Sequence, residues 1–136
     1  MGVDAAIYNR LKDNATGAIV GTRIAPNLAP DTWNAADRYC VYHVITGGSI
    51  ADHTEGSGGL ASQTIQVDCL ADTSLGAKQL ADAVRADLHC WSGVSGGVTV
   101  ESIFWENQTD VPIAPFVGDE QGERQVSIDF TVNWRF

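Results

Sequence analysis

The stretch SQTIQVDCLADTSLGAKQLADAVRADLHCWSG, Ser62 to Gly93, decides the fold. In its first part Ile65, Val67 and Cys69 alternate with Thr64, Gln66 and Asp68. A period of two sends successive side chains to opposite faces, so the segment predicts a half-buried strand. Asp72, Thr73 and Ser74 then offer side-chain oxygens to the free amides of a helix start. Beyond them Leu80, Val84 and Leu88 recur every fourth residue, with Ala77 and Ala81 on the same face. Lys78, Asp82, Arg85 and Asp87 are assigned to the other side, and Gly93 is the expected stop. One strand, one tight turn and one amphipathic helix follow in that order.

Upstream, Val3, Ile7 and Leu11 share a spacing of four and predict a helix over residues 3–13, broken by Asn14 to Gly17. A short extended piece is expected within Ala18 to Ile24, and Pro26 and Pro30 bracket a loop. Arg38 to Ile45 is a strand rich in Tyr, Val and Ile. Gly47, Gly48, Gly56, Gly58 and Gly59 then flank Ala51 to Glu55, which fits a hairpin arm or a loop equally. Downstream, a strand is expected near Val98 to Trp105, then a polar loop from Glu106 to Glu123. In the last segment Val126, Ile128, Phe130, Val132, Trp134 and Phe136 face one way, while Ser127, Asp129, Thr131, Asn133 and Arg135 face the other. The order helix, strand, strand, helix, strand, strand predicts one α+β domain over residues 1–136. Its sheet would be mainly antiparallel or mixed, of four to five strands, with two helices packed on one face.

At 136 residues the chain can bury a genuine core, and 44% hydrophobic with 18% charged residues is a globular composition. No apolar run approaches the roughly 18 residues that a membrane span needs. The amino terminus carries early charges and no signal-peptide core, so export is not expected. Seventeen acidic residues against eight basic ones leave a net charge of −9. That balance argues against gripping nucleic acid through its phosphates, which requires clustered Lys and Arg. Three cysteines, Cys40, Cys69 and Cys90, lack C-x-x-C spacing, so neither a disulfide framework nor a zinc site is expected. They read as reduced, partly buried packing residues.

Asp52, His53, Thr54 and Glu55 form the nearest thing to a catalytic or metal cluster. Neighbours on an extended segment point to opposite sides, and no third ligand lies close in sequence. His43, within a strand, reads as a packed or hydrogen-bonded side chain. His89 and Cys90 are adjacent on a helix and do not face each other. No G-x-S-x-G elbow and no phosphate-binding loop is present. No catalytic set, metal or cofactor is expected.

The unit from Ser62 to Gly93 resembles the same part of a family of small phage tail-completion proteins, the tail-terminator-like group. In that family a strand ending in "VDC" or similar precedes a helix reading like "A..LADAVRAAL". Arg38 to Leu60 is similar to the family's "P-Y-V-V-Y" strand and its Gly-rich connection. Tyr39, Val41 and Tyr42 match, while Ala36, Asp37 and Arg38 stand where the family has proline. The closing RQVSIDFTVNWRF is similar to "RRSLDFRVWYR", and Arg23 to Pro30 fits the "grIyp..aP" region.

The resemblance implies a virion protein assembled in the host cytoplasm. It would form a homohexameric ring that caps the tail tube, ends its polymerisation and joins the tail to the head connector. Its partners would be other copies of itself, the tail tube protein and the head-completion or connector protein. DNA would pass through the lumen without specific binding, and no membrane is involved. Under this reading Gly47, Gly48, Ile50, Asp52, His53 and Glu55 reach a neighbouring subunit or the tube, as do Ile113 and Phe116. Asp110, Asp119 and Glu120, with Asp52 and Glu55, are the acids expected nearest the lumen. Two other readings stay open: another neck protein or a tube subunit, and a small-ligand-binding α+β domain with its site at Asp52 to Glu55.

Overall fold

Thr73 starts the central helix. In extended conformation, it accepts a hydrogen bond from the Gly76 amide on its hydroxyl oxygen at 3.0 Å, which satisfies one of the free donors of the first turn. The helix, α3, spans Ser74–Leu88 and buries Ala77, Leu80, Ala81, Val84 and Leu88, the face that the spacing predicted. It ends before the expected stop. His89 leaves the helix in extended conformation, Cys90 turns left-handed with φ of 65°, and Gly93 opens a strand instead.

The coordinates are a computed structural model that describes residues 3–27, 30, 33, 37–46, 61–95, 97–112 and 124–135. In chain order the elements are α1 (Asp4–Lys12), α2 (Ala15–Val20), β1 (Ile24–Pro26), β2 (Tyr39–Thr46), β3 (Ala61–Ala71), α3, β4 (Gly93–Ser95), β5 (Val98–Pro112) and β6 (Arg124–Arg135). The strands form one six-stranded mixed sheet in the order β1-β2-β3-β6-β5-β4. Among the described strands β1 and β2 run parallel and the other neighbours antiparallel. The α+β class holds, and the described residues alone carry one strand and one helix more than expected.

One face of the sheet carries the core. Ile65, Val67 and Cys69 of β3 and Val126, Ile128, Phe130, Val132 and Trp134 of β6 are buried, in the alternation that the sequence predicted. They join Ala6, Ile7 and Leu11 of α1, Val20 of α2 and the apolar face of α3 in a single cluster. All three helices therefore cover the same face. Helix α1 touches both β1 and β4, the two edge strands. A flat six-stranded sheet would hold its edges about 24 Å apart, and a nine-residue helix is only about 13 Å long. The sheet must curl around the helical layer. Asn9 of α1 reaches Ser95 of β4 with a 3.3 Å hydrogen bond across that fold.

Four expectations need correction. The break expected over Asn14 to Gly17 is confined to Asn14, because Asp87 supplies acceptors to the free amides of Ala15–Val20 and a helix resumes there; the extended piece expected within Ala18 to Ile24 starts only at Ile24. Asp87 is consequently buried and not on the solvent side of α3. Glu106 to Pro112, expected in a loop, continue β5 against β6. Two β-bulges, between Val100 and Ser102 and between Trp105 and Asn107, break the alternation that would have revealed this. Finally, Cys40 and Cys69 are buried as expected, but Cys90 is exposed at the turn after α3.

Candidate functional site

The face of the sheet away from the helices is where described side chains gather polar chemistry. Its centre is Asp68 on β3. The period of two that buries Val67 and Cys69 sends Asp68 to the opposite side, and strand pairing sets what it meets. His43 of β2 approaches through Nε2 at 2.9 Å from Oδ2. Ser127 of β6 donates its hydroxyl to Oδ1 at 2.8 Å, and Gln66 donates from Nε2 to the same oxygen at 2.9 Å. Gln125 donates in turn to the Ser127 oxygen at 3.0 Å. An ionised carboxylate only accepts, so His43 carries its proton on Nε2 here. The network spans β2, β3 and β6 and fastens them side by side.

This set holds a Ser, an Asp and a His but not in a catalytic order. Ser127 donates to the carboxylate and not to the imidazole, so His43 is not placed to take the hydroxyl proton. Hydrogen bonds already engage both carboxylate oxygens. Among the described residues no group of three His, Cys, Asp or Glu is placed to hold a metal ion. Beside the network, Tyr39, Val41 and Leu70 form a small second apolar cluster with Trp33 packed on it. The Trp33 and Tyr39 rings are tilted, 5.9 Å apart.

Apolar side chains also stand in solvent. Phe104 and Trp105 on β5 are 49% and 41% exposed, and Leu75 and Val94 more so. Trp105 lies under the Arg85 guanidinium at 4.8 Å, and its amide donates to His89 Nδ1 at 3.0 Å. That bond, with the Cys90 amide donating to the Ile103 carbonyl at 2.8 Å, covers the middle of the outer edge of β5 with the turn after α3. A shallow cleft of about 230 Å³ opens between the start of α1 and the β1–β2 edge, lined by Asp4, Pro26, Asn27, Tyr42 and Val44. Burial pushes the Tyr42 phenol up from its ordinary value, with Asp4 and Tyr8 adding to the effect.

Of the residues singled out from sequence, Gly47, Gly48, Ile50, Asp52, His53, Glu55, Ile113, Phe116, Asp119 and Glu120 lie outside the described residues. Asp110 is described, and it is in strand β5, not in a loop. It sits opposite Val126 and forms an exposed ion pair with Lys78 at 3.6 Å. His43 is hydrogen-bonded within a strand, as expected. The Asp68 network was not foreseen. Alternation placed Asp68 on the polar face, but its partners come from strand register, which the sequence does not display.

Two solved structures share this fold. A chain from the virion of a native gene transfer agent particle matches with a TM-score of 0.75 and 17% identity, over 96% of this chain and 92% of that one. A second, whose name states no activity, matches with a TM-score of 0.64 and 22% identity, over 98% of this chain and 94% of its own. No protein-family model and no curated protein matches the sequence. No helix among the described residues is long and apolar enough to cross a membrane.

Proposed function

We propose that this chain is a structural protein of a phage-like virion, a ring subunit that caps the tail tube, ends its polymerisation and joins the tail to the head connector. The observation that carries the reading is the near end-to-end likeness to a chain of a gene transfer agent virion. The sequence resemblance to tail-completion proteins, which spans nearly the whole chain, points the same way. A closed ring uses heterologous contacts, in which one patch of a subunit meets a different patch of the next. Exposed Phe104, Trp105, Leu75 and Val94 are apolar side chains that such a neighbour would cover.

The mechanism is steric and makes or breaks no covalent bond. One ring face copies the stacking surface of the tube and binds its last ring. The other face lacks the site that a further tube ring requires, so growth stops, and it offers a docking surface to the connector. Electron microscopy of lysates from the parent phage with this gene disrupted tests the reading. Overlong tails unattached to DNA-filled heads are expected. Tails of normal length beside empty or leaking heads would move the protein to the head side of the joint, and intact infectious particles would overturn the proposal.

A further inference from the structure

Cys40 on β2 and Cys69 on β3 stand directly opposite each other in register. The Cys40 amide donates to the Arg23 carbonyl at 3.0 Å, on the side away from β3. A strand residue sends its N–H and C=O the same way, so the 40–69 pair is of the non-hydrogen-bonded kind. In such pairs the Cα atoms approach to about 4.5 Å and the side chains are closest. That separation falls within the span of roughly 4.4–6.8 Å that a disulfide bridges. Both side chains point into the core, are 0% exposed and are free thiols.

We propose that Cys40 and Cys69 are a cross-strand dithiol that a small-molecule disulfide, such as oxidised glutathione, converts to an internal disulfide. One thiol loses its proton and attacks the oxidant, breaking its S–S bond and releasing one small thiol. The second cysteine then displaces the other half from the mixed disulfide. The protein gives up two protons and two electrons, and the oxidant leaves as two thiols.

The fold sets the rate. The hydrogen bond with Cys40 and burial hold the Cys69 thiol well above its ordinary value, so the thiolate is scarce while the core is closed. Reaction waits on local opening of β2, whose outer edge pairs with the short strand β1. The pair therefore stays reduced in a reducing compartment and closes slowly in an oxidising one. This chemistry does not depend on the assembly role proposed above.

The test uses the full chain with Cys90→Ser, which removes the exposed thiol, and in parallel the wild-type chain with Cys90 capped by iodoacetamide under native conditions. Each is incubated with oxidised glutathione, then acid-quenched for thiol counting, intact mass and peptide mapping. Both remaining thiols should disappear together, with a mass loss of two hydrogens, a Cys40–Cys69 cross-linked peptide and full reversal by dithiothreitol. The thermal midpoint should rise, because the bond closes a loop in the unfolded chain. Sub-denaturing urea should speed the reaction by favouring the open state. Persistent glutathione adducts, cross-linked dimers, or two thiols still free after prolonged incubation would each overturn the proposal.

Discussion

Asp87, in the last turn of α3, accepts the Thr16 hydroxyl at 2.7 Å and thereby ties the short helix α2 to the far end of the central one. The same carboxylate takes the Thr16 amide at 2.8 Å and the Ala15 amide at 3.2 Å, while Arg10 donates to the Asp87 carbonyl at 2.7 Å. Replacing Asp87 by Ala strips acceptors from three donors, two of them on the fully buried Thr16. The expected loss is about 3 kcal/mol of stability. Urea unfolding followed by circular dichroism measures it, and Thr16→Val should cost less because the two amides keep their acceptor.

Gly17 makes the α1–α2 corner possible. A β-carbon there would lie 1.8 Å from the Lys12 carbonyl oxygen, main chain that cannot swing aside as a side chain would. Gly17→Ala should therefore destabilise by at least about 2 kcal/mol, despite the better helix propensity of Ala. A thermal melt that matches wild type would mean the corner is not as tight as this geometry requires.

Much of the layout could be read from the residues, for a physical reason in each case. Helix α3 and strands β3 and β6 have strict periodicity because one face of each is covered by the core and the other is not. Helix α2 escaped because Asn14 and Gly17 read locally as breakers, while its stabilising carboxylate comes from Asp87, far along the chain. Asp87 in turn looked solvent-facing on α3, since nothing in its own helix announces that α2 covers it. The outer half of β5 escaped because Asn107, Thr109 and Asp110 are exposed polar residues and two bulges interrupt the alternation. The Asp68 network depends on the register of three strands, which is a property of the assembled sheet.

Asp68 should matter to stability more than a surface carboxylate ordinarily does. Asp68→Ala leaves His43, Gln66 and Ser127 donors without their acceptor on a partly buried face. A cost of about 2 kcal/mol is expected. Ser127→Ala, which removes one of the donors, should cost about 1 kcal/mol. Equal midpoints for wild type and the Asp68 variant in urea would show that the network is incidental.

Alkaline unfolding should report on Tyr42. Burial, with Asp4 and Tyr8 adding to it, raises its phenol above the ordinary value of 10.0, so the folded state favours the protonated form. Below pH 10 both folded and unfolded chains hold the proton, and this preference is fully in force. As pH rises above 10 the unfolded chain releases the proton first, so stability falls until the folded phenol also ionises. The Cys69 thiol, raised well above 9.0, adds a loss of the same sign beginning at lower pH. Tyr42→Phe should flatten the decline above pH 10 in a series of urea melts. An unchanged slope would mean that Tyr42 titrates alike in both states.

The acidic balance of the chain gives the lumen hypothesis its sharpest consequence. Asp52, Glu55, Asp110, Asp119 and Glu120 are the acids proposed to repel passing phosphates, in a chain of net charge −9. Asp110 can be changed at little cost to the fold, because its 3.6 Å pair with Lys78 is more than half exposed at both ends and exposed pairs contribute little. Reversing all five to Lys should leave the circular dichroism spectrum unchanged, yet slow genome ejection from assembled particles. The slowing should lessen at high salt, since screening shortens the reach of the new attraction to about 3 Å at 1 M. Particles that eject DNA at the wild-type rate at low salt would remove these acids from the channel wall.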